Sequence, residues 1–139
     1  MRNLTPPEAH ALLQQHPDAV FVDVRSRAEF AAGHPAGAIN VPISEPDAFG
    51  QMSPNPVFVP AMKAIIGATD RLVVCTCRSG ARSARAAMML EAAGFTDLVN
   101  VDGGWAGGAV PGWAASGLPG SDETGDGIGW DSVRAKLGL

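Results

Sequence analysis

Positive charge, cysteine and histidine are all scarce in this chain. Its 139 residues carry ten Lys and Arg against fourteen Asp and Glu, a formal net charge of -4. That balance argues against nucleic acid as a general partner. Two cysteines, Cys75 and Cys77, make no disulfide framework. Two positions apart on a strand they would face the same way, and a bond between them would strain the backbone. A structural metal site takes about four ligands, and only the scattered His10, His16 and His34 could add to the thiols. Neither a metal nor a cofactor is therefore expected. Residues Met1 to Pro7 lack an apolar segment of the kind that heads a signal peptide, and no uninterrupted apolar stretch approaches a membrane span. A reducing, cytoplasmic setting without membrane contact is the default expectation.

What the chain does have is core material. Hydrophobic residues make up 46% of it and charged residues 17%, the balance of one ordered globular domain. Arg71, Arg78, Arg82 and Arg85 place four of the ten basic residues in one short stretch. A local cationic site on an acidic protein suits a small anion better than a polyanion.

That stretch organises the reading. Leu72 to Thr76 is an apolar, β-branched run with the character of a central strand. It ends at Cys77, and a short loop with a glycine and arginines follows. An alanine-rich helical segment, Ala84 to Ala93, comes next, with Gly94 as its cap. Strand, tight loop and helix converge backbone N–H groups on one point, where the helix N-terminus adds about half a positive charge. A cysteine at the mouth of such a loop, beside Arg78 and Arg82, is driven toward the nucleophilic thiolate. The plainer alternative is an inert cysteine at a strand end. Cys75 reads as a small buried hydrophobe, with a resolving-thiol role as its alternative.

Elsewhere, Thr5 to Glu8 and Ser26 to Glu29 both form capping boxes that open helices, the first with Pro6 at its first position. Val20 to Val24 and Leu98 to Val101 are apolar strands, and Ala38 to Val41 is a shorter one. Asp23 and Arg25 read as fixing a strand-to-helix turn, and His34 as part of another turn. Residues 43–59 read as a long loop suited to a lid or partner surface, and Pro60 to Ile66 as a helix. Gly103-Gly104-Trp105 reads as the start of a last helical segment anchored by Trp113. Strands alternating with helices argue for an α/β fold, a mostly parallel sheet with helices on both faces.

Cys77-Arg78-Ser79-Gly80-Ala81-Arg82-Ser83 resembles the active-site loop of the rhodanese-like sulfurtransferases. Asp23-Val24-Arg25, Glu29-Phe30, Gly33-His34 and Gly37 to Pro42 resemble that family's N-terminal signature. Gly103-Gly104-Trp105 with Gly117-Leu118-Pro119 resembles its C-terminal one. The resemblance implies a rhodanese-like domain over residues 1–119 with five core strands. A tail over 120–139 follows, with room for a short helix from Trp130 to Leu137. It also implies that Cys77 is catalytic and carries a persulfide. Arg78, Ser79, Gly80, Ala81, Arg82 and Ser83 would bind the substrate, Arg82 chiefly by bracing the loop. The implied activity moves a sulfane sulfur from thiosulfate, or another small anionic persulfide donor, to a thiophilic acceptor: cyanide, a thiol or a protein cysteine. Two alternatives stand beside it. One is a persulfide carrier or binding module without turnover. The other is a phosphatase or arsenate reductase, although such enzymes resemble a C-x5-R pattern and only four residues separate Cys77 from Arg82.

Overall fold

In the computed structural model, which describes residues 1–139, the apolar run at the centre of the sequence is also the centre of the sheet. Strand β7 (Val73–Thr76) lies between β2 (Val20–Asp23) and β8 (Leu98–Val101). The edges are β1 (Arg2–Leu4) beside β8 and β4 (Ile39–Asn40) beside β2, giving the order β1-β8-β7-β2-β4 with every pairing parallel. All residues of β2, β7 and β8 are buried. Such strands need apolar side chains on both faces, which is why they appear in the sequence as continuous runs.

Side chains alternate across the sheet. Val73, Cys75 and Cys77 enter a larger core with helices α3 (Phe58–Ile66), α4 (Ala81–Ala92) and α5 (Trp130–Leu137). Leu72 and Val74 enter a smaller core with α1 (Pro6–Gln15), α2 (Arg27–Ala32) and Trp113. Both capping boxes form: Thr5 donates N–H and O–H to Glu8, and Ser26 does the same to Glu29.

The fifth strand lies where no apolar run marks one, and four expectations need correction. The fifth strand is β1, whose Arg-Asn-Leu sequence has no apolar run; it is a strand because β8 offers it an edge. Residues 43–59 are not one loop. Ser44–Pro46 (β5) and Met52–Pro54 (β6) pair as an antiparallel hairpin, its turn held by Asp47 accepting from the N–H of Phe49 and of Gln51. The helix after it starts at Phe58, and α4 starts at Ala81 rather than Ala84. Gly103-Gly104-Trp105 opens no helix, since Gly103 and Gly104 take φ of 88° and 53°, backbone that turns the chain.

The last twenty residues lie against the rest. Gly120–Ser121 (β9) pairs antiparallel with His34–Pro35 (β3), and His34 is buried with its ring stacked on Phe30 at 3.5 Å. Trp130 (2% exposed) and Val133 complete the larger core from α5. Arg27 ties α5 to α2 through Asp131 at 2.7 Å. No helix is long and apolar enough to cross a membrane.

Emptying the Trp130 site should therefore cost as much as a central core truncation. Trp130→Ala is expected to lower unfolding free energy by about 3–5 kcal/mol, read as a shift in urea midpoint at constant slope. A loss under about 1 kcal/mol would show that α5 adds little to the core.

Candidate active site

Cys77 follows the last residue of β7, at the carboxyl end of a parallel sheet, where such sheets open their crevice. Its side chain is 1% exposed, so the thiol lies on the floor of the loop and not at its mouth. Its Sγ accepts the Gly80 N–H at 3.1 Å and lies 3.2 Å from Ser83 Oγ. Gly80 turns the chain back at φ 115°, a conformation a side chain would strain. At the next residue α4 begins. The N–H groups of Arg78, Ser79, Ala81, Arg82 and Ser83 have no carbonyl or side-chain acceptor. Together with Gly80 they make six donors in one short loop, of which Gly80 already meets the sulfur, and the positive end of α4 adds to them.

The outer side of the loop is tied to the Gly-Gly-Trp turn. The carbonyl of Cys77 accepts from Trp105 N–H at 2.8 Å, and that of Arg78 from Ala106 N–H at 2.8 Å. Gly104 has to pass close by for this to happen. A Cβ there would collide with the Cys77 carbonyl oxygen and come within 2.8 Å of the Arg78 carbonyl carbon. The two resembling signatures are thus one piece of structure.

The arginines divide in role. Arg82 makes a bidentate pair with Glu29, at 2.7 and 2.8 Å, linking the first turn of α4 to the capping box of α2. The Arg82 guanidinium, helped by the Ser26 N–H and hydroxyl and opposed by burial, holds the Glu29 carboxyl down at about 2. Arg82 is itself pushed upward by Glu29. Arg25 is buried against Asp23, with its Nη2 donating at 2.8 Å to the carboxylate and at 2.7 Å to the Gly33 carbonyl. Asp23 and Arg25 do fix the turn, and Arg25 also lies 5.7 Å from the centre of the Trp105 ring. Arg78 is exposed and unpaired, at the rim of a hollow of about 250 Å³ that Arg25, Glu29 and Trp105 also line. Ser79 and Ala81 are exposed, whereas Gly80 and Ser83 are buried.

Cys75 stands apart from these groups. Burial first, and a charge on Cys77 second, push its thiol up to about 12, so it stays protonated in the core. His10 and His16 lie away from the loop, beside a groove lined by Trp113. No three His, Cys, Asp or Glu side chains converge as a metal site would require.

Two participants escape a reading of the motif alone. Glu29 is visible in the sequence as a capping residue and as part of the N-terminal signature, and neither shows its pairing with Arg82. Asn100, buried in β8, donates no clue except that it interrupts an apolar strand. It receives the Ser83 hydroxyl at 2.6 Å.

Known proteins resemble this chain over most of its length. The model of the rhodanese-like domain matches residues 5–109. Thiosulfate sulfurtransferase 16, chloroplastic, of Arabidopsis thaliana is 41% identical over 99 residues, 71% of this chain and 77% of that protein. The thiosulfate:glutathione sulfurtransferase of Homo sapiens is 35% identical over 104 residues, covering 71% and 85%. The crystal structure of Rv0390 from M. tuberculosis superposes with a TM-score of 0.72 at 30% identity, over 88% of this chain and 98% of that one. Other curated relatives are longer, and the chain spans 25% to 50% of their length.

The Glu29–Arg82 pair makes a pH prediction with a definite sign. A carboxyl held lower in the folded than in the unfolded chain stabilises the fold fully above its ordinary value near 4.3, and that contribution fades as pH falls toward about 2. The stability gap between wild type and Glu29→Gln should be constant from pH 7 to about 5 and shrink steadily below it. Denaturant titrations of both proteins across that range measure it; a gap that widens on acidification would contradict the pairing.

Proposed function

The chain belongs to the rhodanese-like domain family, and from that premise we propose that it transfers sulfane sulfur through a persulfide on Cys77. One observation carries the proposal: the only thiol at the carboxyl edge of the sheet has the Gly80 N–H on its Sγ at 3.1 Å, in a loop whose other N–H groups have no acceptor in the protein.

The steps balance without a redox partner. The Cys77 thiolate attacks the outer sulfur of thiosulfate. A Cys77 S–S bond forms, the S–S bond of the donor breaks, and sulfite leaves with the electron pair. The product persulfide is an anion, and the Gly80 N–H together with the unpaired loop amides stabilises it as an oxyanion hole stabilises oxygen. Arg78, free and exposed, holds the donor's sulfonate. Arg82, held by Glu29, keeps the loop in shape. A thiophilic acceptor then attacks the terminal sulfur and Cys77 leaves as the thiolate, ready for another donor. Two covalent half-reactions give ping-pong kinetics. The names of the Arabidopsis and human relatives favour thiosulfate as donor and a thiol as acceptor.

The phosphatase reading fares worse on a specific point. A Cys–Arg phosphatase needs its arginine on the oxyanion, and here the matching guanidinium is spent on Glu29. With four residues between Cys77 and Arg82 the loop is also tight for a tetrahedral phosphate.

Thiosulfate should add one sulfur, roughly 32 Da, to the intact mass of the wild type and of Cys75→Ala, but not of Cys77→Ser. Sulfur mapping to Cys75 would remove Cys77 as the nucleophile. Thiocyanate release from thiosulfate and cyanide separates an enzyme, which turns over, from a carrier, which stops after one equivalent.

The unmodified protein should hydrolyse p-nitrophenyl phosphate no faster than Cys77→Ser does. Robust hydrolysis lost in Cys77→Ser would favour the phosphatase reading instead. Inserting one glycine between Gly80 and Ala81 should lower sulfur transfer by about tenfold or more, since amides displaced by about 1 Å lose the anion.

A further inference from the structure

Behind Cys77 lies a row of three polar side chains that the sulfur chemistry described above does not use. Ser83, on the first turn of α4, is fully buried, and Asn100 in β8 is 4% exposed. Asn3 is the register partner of Asn100 on the edge strand β1, with its side chain at the surface. The Asn100 Nδ2 donates to Asn3 Oδ1 at 3.0 Å. The Ser83 hydroxyl has one hydrogen and three acceptors in reach: Asn100 Oδ1 at 2.6 Å, Cys77 Sγ at 3.2 Å and the Gly80 carbonyl at 3.2 Å.

One hydrogen cannot serve all three. The shortest contact takes it, so Ser83 donates to Asn100 and turns lone pairs toward Cys77. That arrangement fits a thiol, whose S–H donates to Ser83 Oγ. It does not fit an anionic sulfur, which would face those lone pairs at 3.2 Å. For the anion the hydroxyl must turn to Sγ, leaving Asn100 Oδ1 as a buried acceptor without a donor, a costly state. An amide has a way out that a carboxylate or an alkyl group lacks. Turned over, it presents Nδ2 to Ser83 and Oδ1 to Asn3, whose own amide turns in the same sense at the surface.

We propose that Asn100 is a positioning residue whose amide turns over as Cys77 alternates between thiol and anionic sulfur, with Ser83 as the link and Asn3 as the solvent end. No proton passes along the row. Each O–H and N–H keeps its hydrogen, and the Cys77 proton leaves to solvent. Both the thiolate and the persulfide of the proposed reaction need the second polarity, so the inference rests on Cys77 being the nucleophile. A chain of aligned donors also strengthens each of its members.

Asn3 allows a test at the surface, where folding is least at risk. In Asn3→Asp the carboxylate can only accept, which holds Asn100 with Nδ2 outward and locks the row in its thiol polarity. Asn3→Ala leaves Asn100 to water and free to turn. The measured quantity is the pH profile of Cys77 alkylation by iodoacetamide, mapped by mass, with thermal unfolding to check the fold. Asn3→Asp should slow alkylation at pH 7 about fivefold or more and shift the profile toward higher pH, and Asn3→Ala should fall well short of that loss.

A direct field from the new charge is the competing explanation, and the Ser83→Ala background separates it. A field acts whether or not the hydroxyl is present, whereas the row is broken without it. Asn3→Asp should therefore have little effect in Ser83→Ala. The other charges near the loop are the same in every variant: Arg78, Arg82 with Glu29, the Asp23–Arg25 pair, and Asp102 after β8. Equal slowing by Asn3→Asp in both backgrounds, or no slowing in either, would overturn the proposal. Alkylation needs no sulfur donor. A wild type that alkylates at Cys77 yet gains no mass from thiosulfate would thus sink the sulfurtransferase reading and leave this test standing. A wild type that gains the mass but shows no Ser83-dependent effect of Asn3→Asp would do the reverse.

Discussion

Everything at the site depends on which way two peptide planes face. The carbonyls of Cys77 and Arg78 point outward because Trp105 and Ala106 donate to them. The N–H groups of the same two peptide planes, those of Arg78 and Ser79, are thereby turned the other way, and they have no acceptor in the protein. Backbone donors without a partner are costly wherever water does not reach them. The cost is tolerated here because Cys77 Sγ already takes the Gly80 N–H and an anion would take more. The fold therefore holds a donor-rich hollow open from outside, using a turn in which one glycine can have no side chain.

The electrostatics follow the same division. A guanidinium aimed at the sulfur would hold any anion tightly, the departing one included. Arg82 is instead neutralised by Glu29, and its contribution is geometric: the pair joins α4 to α2 and so fixes where the loop amides lie. In the proposed reaction, anion recognition is left to neutral N–H dipoles, the positive end of α4 and the exposed Arg78. Dipoles held rigidly favour charge at one position without binding a substrate and its product equally.

The legible part of the sequence was the part governed by short-range physics. Val20 to Asp23, Val73 to Thr76 and Leu98 to Val101 announce themselves because a strand buried on both faces is mostly apolar, with a single polar residue in each. The two capping boxes are legible for the same reason, since both partners lie three residues apart. What escaped depends on partners far away in the chain. Arg2–Leu4 is a strand only because β8 supplies an unpaired edge, 97 residues from Asn3 at Asn100. The Ser44–Pro46 and Met52–Pro54 strands carry prolines and no alternation, and Asp47 decides their turn. At the site, Cys77 and its loop stand out as a motif, but Glu29 lies 53 residues from Arg82 and shows only its local role. Asn100 is the subtler case: a polar residue in an apolar strand signals a buried partner without naming it.

The depth of Cys77 bears on how a buried thiol can pass sulfur to anything. At 1% exposure its Sγ is beyond the reach of a bulky acceptor such as a protein cysteine. In the proposed reaction that limit applies to one half only. Thiosulfate is small, and the exposed Arg78 would hold its sulfonate while the outer sulfur reaches inward. Once transferred, that sulfur would stand about 2.05 Å beyond Sγ. The covalent intermediate thus moves the reactive atom from the floor of the loop toward its rim. A buried nucleophile and an accessible product are compatible because the transferred atom itself spans the gap, and no opening of the loop is needed to expose Cys77.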